Sequence, residues 1–256
     1  MKAGTVYIFV GPPGAGKGSL AQQIEKEFGF IQLSTGNLCR KMMASPSQLG
    51  KKVASFVQAG KLLPDELIIE MVQNWLNEHQ VQTAGFIFDG FPRTIEQAKA
   101  LAHLLSDHFP QLKPVVIHFI IDDETIIQRV ASRIVCSNKE CQRVYTASGD
   151  ESAKPRFDAV CDRCGSALIR RADDHAATMV QRLRIYHETE TMLLRWYQEH
   201  HIPIIDLSVD KPLADVFAEF SKQAGLASDR AKHTQTRSSV DDGLSIENQR
   251  KTGRIR

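Results

Sequence analysis

The residues with the clearest chemistry form a glycine-rich stretch that ends in a lysine, Gly11-Pro12-Pro13-Gly14-Ala15-Gly16-Lys17. This stretch follows a short apolar run and precedes a helical pattern, which is the context of a phosphate-binding loop. Glycines allow successive backbone N–H groups to face one ligand, and the start of the next helix adds a positive dipole end. Many unrelated NTPases share such a loop. It therefore predicts that a nucleoside triphosphate binds here. The molecule that accepts a phosphoryl group must be inferred from other residues.

A second stretch, from Phe86 to Thr94, places an acid at the end of a predicted buried strand and an arginine four residues later. Asp89 can hold the hydration shell of a magnesium ion, and Arg93 can form a forked hydrogen bond to phosphate. A purely structural reading also exists, because Asp-Gly is common in turns and Thr94 to Gln97 satisfies a helix capping box. That reading leaves Arg93 unexplained.

Four of the five cysteines form two pairs, Cys136 with Cys141 and Cys161 with Cys164, separated by nineteen residues. This spacing favours a structural zinc site made of four thiolates. Iron bound to the same thiolates and unbound thiols are the alternatives. Four protein ligands leave no open position on the metal, so we expect no metal catalysis here. We interpret the fifth cysteine, Cys39, as a small buried hydrophobic residue.

Short apolar runs that alternate with helical patterns predict the scaffold for these groups, an α/β fold whose parallel sheet is covered on both faces. The predicted strands are Thr5–Val10, Ile31–Ser34, Phe86–Asp89, Val115–Ile121 and Ile202–Leu207. The predicted helices are Gly16–Phe28, Pro64–Glu78, Thr94–Phe109, Asp123–Arg133 and about 175–199.

Two stretches interrupt this alternation. Residues 34–63 contain short helical pieces without a strong strand, and residues 132–172 are polar and hold the four paired cysteines. Because the second stretch lacks a periodic apolar pattern, we expect a metal to stabilise it.

Residues 226–256 contain seven Lys or Arg against four Asp or Glu and no aromatic residue, which is typical of a disordered tail. The core is then predicted to comprise residues 1–33, 64–131 and 173–225.

The composition excludes several classes of protein. A chain of 256 residues with 42% hydrophobic and 24% charged residues can bury a core, so disorder throughout is excluded. A net charge of +2 is too small for the overall field of a dedicated nucleic-acid binder. No apolar run reaches about 18 residues, and the run Val6–Val10 is too short for a secretory signal. We expect a cytoplasmic protein without a membrane partner.

Taken together, these motifs resemble those of the adenylate kinase family. The stretches FIFDGFPRTIEQ, GPPGAGKGS and LSTGNLCR are similar to its signature, its phosphate loop and the start of its monophosphate site. Gln128-Arg129 to Arg133, and later Arg171 to Asp174 with Arg182, resemble the charged residues around its mobile lid. The resemblance extends from residue 5 to about residue 224, and the cysteines resemble the zinc-binding lid of some bacterial members.

The resemblance implies a P-loop NTPase fold in which residues 34–63 bind AMP and residues 132–172 form the lid, with hinges at Ser132 and near Ala172. It also implies a monomer that transfers a phosphoryl group reversibly from magnesium-bound ATP to AMP, giving two ADP. Three features depart from the family. Asn37 replaces the usual Asp, Gly18 precedes the loop hydroxyl of Ser19, and the first cysteine pair encloses four residues instead of two.

The resemblance also assigns roles to individual residues. For ATP these are Gly11, Gly14, Ala15, Gly16, Lys17, Gly18, Ser19, Arg129, Arg133 and Lys211. For AMP they are Thr35, Arg40, Gly90, Arg93, Gln97, Arg171 and Arg182. The groups expected to act in phosphoryl transfer are Lys17, Asp89, Arg93, Arg129, Arg133, Arg171 and Arg182. Asp173 and Asp174 would position lid arginines during closure.

Two other functions remain open from the sequence. One is another nucleoside monophosphate kinase, acting on UMP, CMP or GMP or using GTP as donor, although Thr35 and Gln97 favour adenine. The long lid argues against the short-lid pyrimidine kinases.

The other is a nucleic-acid-binding protein with zinc knuckles, but the stretch 132–172 offers only Tyr145 and Phe157 to stack on bases. We therefore expect no nucleic-acid partner.

Overall fold

The computed structural model describes residues 4–43, 48–59, 61–79, 84–147, 153–171, 174 and 176–226. Apart from Leu226, the tail predicted for residues 226–256 lies outside this range. In chain order the elements are β1 (Gly4–Val10), α1 (Lys17–Phe28), β2 (Ile31–Ser34), α2 (Thr35–Met43), α3 (Gln48–Gln58), α4 (Asp65–Glu78), β3 (Gly85–Asp89), α5 (Ile95–His108), β4 (Leu112–Ile120), α6 (Asp123–Ser132), β5 (Arg133–Cys136), β6 (Val144–Thr146), β7 (Leu168–Ile169), α7 (Ala176–Glu199), β8 (Ile204–Ser208) and α8 (Leu213–Gln223).

The central sheet has five parallel strands in the order β2-β3-β1-β4-β8, which confirms the predicted α/β architecture. Its middle strand, β1, is a continuous apolar run because helices cover both faces of the sheet. The register places Phe9 beside Asp89 and Val10 beside His118. Ser34 pairs with Asp89 on the other side. The carboxyl ends of β1, β2 and β3 therefore meet at the edge of the sheet from which the glycine-rich loop leaves.

Alternate residues of β1 belong to two separate cores. Val6, Ile8 and Val10 pack on one face of the sheet, in a cluster that includes residues of α4, α5 and α7. Tyr7 and Phe9 pack on the other face with residues of α1 and α8. Helix α8 was not among the predicted helices, although it completes this second layer. The two layers hold the central strand, and thus the loop after it, in a fixed position.

The two stretches that interrupted the alternation fold as insertions. Residues 34–63 contribute α2 and α3, and the part of 132–172 that the structure describes contributes a small antiparallel sheet of order β6-β5-β7. This small sheet has a core of its own, formed by Cys136, Tyr145 and Cys161 with partly buried apolar neighbours. Its strands have only two to four residues, too few for a periodic pattern to be visible. Within the described part of the chain, no helix combines the length and apolar character needed to cross a bilayer.

Candidate active site

The glycine-rich loop lies close against the elements behind it. Gly14 has a φ of 91°, and a Cβ atom on it would lie 2.8 Å from Val130 Cγ2 and 2.9 Å from Ile126 Cγ2. A Cβ on Gly11 would lie 2.6 Å from Phe119 Cβ. Glycine at these positions therefore lets the loop approach α6 and β4. The loop ends where α1 begins, so the positive dipole end of that helix lies next to the loop.

Lys17, the first residue of α1, folds back over the loop. Its Nζ donates hydrogen bonds of 2.7 Å to the carbonyl oxygens of Gly11 and Pro12. Burial lowers the pKa of Lys17 to about 8; Asp89 opposes this effect, whereas nearby arginines add to it. Those arginines are Arg93, Arg182 and Arg133. A cation placed among other cations favours binding of a polyanion, because the anion relieves their mutual repulsion.

Asp89 lies across the loop from Lys17, at the end of β3. Its Oδ2 accepts a hydrogen bond of 3.1 Å from Gln32 Nε2. A Cβ on Gly18 would lie 3.5 Å from the same oxygen, so the carboxylate faces the start of α1. Sequence reasoning missed Gln32, which lies on the weakest predicted strand and carries no motif. The pair places an oriented carboxylate beside the phosphate loop.

Gly90, directly after Asp89, allows two side chains to fold over the backbone. It has a φ of 82°, and a Cβ on it would lie 2.7 Å from Arg93 Nη2 and 2.8 Å from Thr35 Oγ1. Arg93 Nε donates to the Gly90 carbonyl at 2.7 Å, and Thr35 Oγ1 donates to it at 2.9 Å. Burial lowers the pKa of Arg93, and Arg182 adds to this effect. The guanidinium is thus held by backbone contacts in a strongly cationic region.

Gln97 is 3% exposed and held at both ends of its amide. Its Oε1 accepts from the Arg93 N–H at 2.8 Å, and its Nε2 donates to Asp65 Oδ1 at 2.6 Å. Thr94 caps α5 by accepting from the Gln97 N–H at 3.1 Å, and also donates to Asp65 Oδ2 at 3.1 Å. Thr94 therefore caps α5 as expected, while the Gln97 side chain is buried beside it. Asp65 was missed, because an acid in the first turn of a helix is ordinary.

Most of the predicted residues line one cavity of about 1310 Å³ between the loop, the α2 insertion and the lid. Such a volume exceeds the range of about 300–1,000 Å³ usual for a single small ligand. Its lining includes Gly11, Gly14, Ala15, Gly16, Lys17, Gly18, Ser19, Arg40, Asp89, Gly90, Arg93, Arg129, Arg133, Arg171, Arg182 and Lys211. Lys211 also pairs with Glu219 of α8.

Thr35 and Gln97 line a second, smaller cavity of about 90 Å³ instead. Arg93 and Arg182 belong to the walls of both cavities, as do Arg40 and Gly90. The two cavities are therefore neighbours with a shared cationic wall.

An ion pair joins the two ends of the lid. Arg133 begins β5, and Asp174 lies two residues before α7; their side chains are 14% and 5% exposed. Asp174 accepts a hydrogen bond of 2.7 Å from Arg133 Nε, and its role in lid closure stays a prediction. Asp173 and the predicted hinge near Ala172 lie outside the described residues. Ser132, the other predicted hinge, accepts a hydrogen bond of 2.9 Å from Thr146 Oγ1.

The four paired cysteines converge in the lid. Their sulfur atoms all lie within 4.8 Å of one another, with 3.3 Å between Cys136 and Cys164 and 3.7 Å between Cys141 and Cys161. A tetrahedral zinc site with bonds of about 2.3 Å has sulfur atoms about 3.8 Å apart, so the arrangement fits zinc. Tyr145 contacts Cys161 Sγ through its hydroxyl at 3.4 Å, and this hydroxyl accepts from the Asp162 N–H at 2.9 Å.

A partly buried hydrogen-bonded network connects α7 to the central sheet. His118 Nδ1 lies 2.8 Å from Asp206 Oδ1, and its Nε2 lies 2.8 Å from Glu190 Oε1. The hydroxyl of Tyr186 also donates to Glu190 Oε1. Glu190 and Tyr186 line the large cavity. The network connects β4, β8 and α7, and no motif or spacing predicts that these groups meet.

Comparison with known proteins gives consistent results. A sequence model of a family described as adenylate kinase matches residues 9–202. The adenylate kinase of Kosmotoga olearia is 39% identical over 206 residues, covering 79% of this chain and 92% of that protein. That of Archaeoglobus fulgidus is 36% identical over 212 residues, covering 83% and 94%. That of Rhizobium etli is 38% identical over 219 residues, covering 84% and 98%.

Proposed function

This chain belongs to the adenylate kinase family, and on that basis we propose how its residues convert ATP and AMP into two molecules of ADP. The family resemblance predicted from the motifs is thus confirmed. The function is that of a phosphotransferase acting on a nucleoside monophosphate.

The observation that carries the proposal is the large cavity whose lining includes Lys17 and the five arginines expected to act in phosphoryl transfer. Phosphoryl transfer passes through a loose transition state whose charge is spread over the phosphoryl oxygens. Such a reaction needs positioned positive groups and no covalent nucleophile. The cationic groups of the cavity lining include Lys17, Arg93, Arg129, Arg133, Arg171 and Arg182.

The donor and acceptor are proposed to occupy different sides of the shared cationic wall. ATP would place its phosphates in the loop from Gly11 to Ser19, with Lys17 exchanging its carbonyl partners for phosphate oxygens. AMP would lie near the smaller cavity, with Arg93 on its phosphate and Gln97 near its base. Because Gln97 already bonds Arg93 and Asp65, it would link recognition of the base to the position of the phosphate-binding arginine.

Adenylate kinases use Mg²⁺ with ATP, and Asp89 is the residue here that fits this ion. Its carboxylate faces the start of α1, where Ser19 supplies a hydroxyl in the same cavity. Oxygen ligands of this kind suit a hard cation that keeps part of its water shell. When bound, magnesium would neutralise charge on the transferred phosphate. Gln32 fixes the orientation of Asp89 for this purpose.

The four lid cysteines are proposed to hold a structural zinc ion. Their number, their sulfur distances and the buried contact with Tyr145 fit a closed thiolate site. Such a metal would stiffen the small β-sheet whose own core is limited. The lid would then close as one body over the cavity and exclude water, which would otherwise accept the phosphoryl group.

The test of the proposed function is detection of ADP formed from ATP and AMP with magnesium, using purified protein. Lys17→Met and Arg93→Ala should each reduce the rate by about a hundredfold or more, as expected on removal of one well-placed charge. Lys99→Ala, on the exposed surface of α5, is the matched control and should leave the rate unchanged. Faster turnover of UMP, CMP or GMP than of AMP would overturn the acceptor assignment. We also propose that the protein is a cytoplasmic monomer. Light scattering, which measures the molar mass in solution, would test whether it is monomeric.

A further inference from the structure

The lid and the α2 insertion meet at a hydrogen bond between residues 102 positions apart. Arg40 Nε donates to Gln142 Oε1 at a distance of 3.1 Å. Arg40 belongs to α2, whereas Gln142 follows directly after Cys141 in the lid. Both residues line the large cavity. The contact therefore joins the α2 insertion to the lid at the wall of this cavity.

Gln142 is held firmly on the lid side of this contact. Its backbone N–H donates to the Asn138 carbonyl at 2.9 Å, and its Nε2 donates to the Lys139 carbonyl at 2.9 Å. Its φ of 44° belongs to the left-handed region, where a non-glycine residue is uncommon. The turn between Cys136 and Cys141 thus fixes both the backbone and the amide. Only the amide oxygen is directed toward Arg40.

The partners of Arg40 in these contacts are neutral. Its Nη2 donates to Asn37 Oδ1 within α2, and its Nε donates to the amide oxygen of Gln142. A carboxylate in either place would compete with an anionic ligand for the guanidinium. Amide oxygens orient the side chain and leave its positive charge intact. This arrangement suits an arginine that must bind a phosphate.

We propose that Gln142 is a positioning residue that holds Arg40 in the orientation for binding the AMP phosphate when the lid covers the cavity. The inference rests on the proposed function, because it takes AMP as the ligand near Arg40. The proposal means that the position of the lid affects the affinity of the AMP site. Loss of the Gln142 amide should weaken AMP binding, and it should do so only through Arg40.

The experiment measures the dissociation constant of AMP by calorimetry, with the imido analogue of ATP bound so that no turnover is needed. Gln142→Ala should weaken AMP binding about 3- to 10-fold, the range expected for the net contribution of one typical hydrogen bond. In an Arg40→Ala background the same change should have an effect below about twofold, since the two residues act through one contact. Lys139→Ala, in the same turn, should leave AMP binding unchanged.

Two further measurements separate positioning from loss of lid structure. Gln142→Ala should retain the metal content and melting temperature of the unchanged protein, and its affinity for the ATP analogue should change less than twofold. The proposal is overturned if AMP binds Gln142→Ala normally, if the loss is equally large in the Arg40→Ala background, or if the affinity for the ATP analogue falls to the same extent. Failure of the unchanged protein to make ADP would instead contradict the proposed function, and AMP binding would still decide the role of Gln142.

Discussion

Arg133 and Asp174 form a two-point ion pair in which Nε of the arginine donates to Oδ2 of the aspartate at 2.7 Å and Nη2 donates to Oδ1. Both side chains are largely buried, so neither charge is well solvated without the other. The pair connects the first residue of the lid sheet to the segment before α7. It is therefore a structural tie at the base of the lid as well as part of the cavity wall.

Asp174→Asn should lower the free energy of unfolding by about 3–5 kcal/mol, because it leaves the guanidinium of Arg133 buried without its counter-charge. Urea unfolding followed by circular dichroism measures this change. Glu188→Gln is the matched control, since its ion pair with Arg184 is exposed and should contribute about 0.5 kcal/mol or less. Equal effects of the two substitutions would show that the buried pair has no special role.

Removal of the lid metal by a chelator, or Cys161→Ser, should lower both the melting temperature of the lid and the temperature at which activity is lost. The reason is that four thiolates around the proposed ion would replace the larger apolar core that this sheet lacks. Elemental analysis must first verify that the metal has been removed. Cys39→Ala is the control, because Cys39 lies in the main core away from the four sulfur atoms. Unchanged melting of the metal-free protein would rule out a structural metal.

The affinity for ATP should fall as the pH rises through about 8. Burial holds the pKa of Lys17 at about 8 in the nucleotide-free protein, so this side chain loses its charge above that pH. One deprotonation with this pKa predicts binding about eightfold weaker at pH 9 than at pH 7.5. Titration calorimetry across this range measures it. Lys17→Arg, which stays charged, should give a flat profile, and an equally flat profile in the unchanged protein would contradict the prediction.

Stability should also depend on pH through His118. Burial alone would lower the pKa of this imidazole, but its hydrogen bonds to Glu190 and Asp206 outweigh burial and raise it. A raised pKa means that protonated His118 stabilises the fold below the unfolded-state pKa of about 6.5, and that this contribution is lost as the pH rises through the folded-state value.

Glu190 determines the pH below which this stabilising contribution is lost. Burial would raise its pKa, but the contacts from His118 and Tyr186 lower it, so its contribution is lost as the pH falls through the lowered value. His118→Gln should therefore reduce the free energy of unfolding more at pH 6 than at pH 9, as chemical denaturation would show. His103→Gln, at an exposed site on α5, should change stability equally at both pH values. An identical loss for His118→Gln at pH 6 and pH 9 would contradict this account.

The sequence was sufficient to predict the central sheet and the loop, because buried parallel strands are continuous apolar runs and the loop has a fixed spacing. Short strands are different: the three lid strands have too few residues to show a period. Contacts between distant side chains were also invisible. Neither Asp65 beneath Gln97 nor Gln142 beside Arg40 carries a motif, and both act through partners that only folding brings near. Positions fixed by local spacing are thus predictable, whereas long-range side-chain pairs are not.

Helix α7 contains 24 residues and is therefore about 36 Å long. Its first turns follow the segment tied to Arg133 and carry Arg182, while its far end is anchored by Trp196 and Tyr197 among buried aromatic and aliphatic residues. Because this far end is held in the main core, the proposed closure of the lid would tilt the first turns of α7 and move Arg182 with them. The same motion would then cover the cavity and bring that charge to the nucleotides.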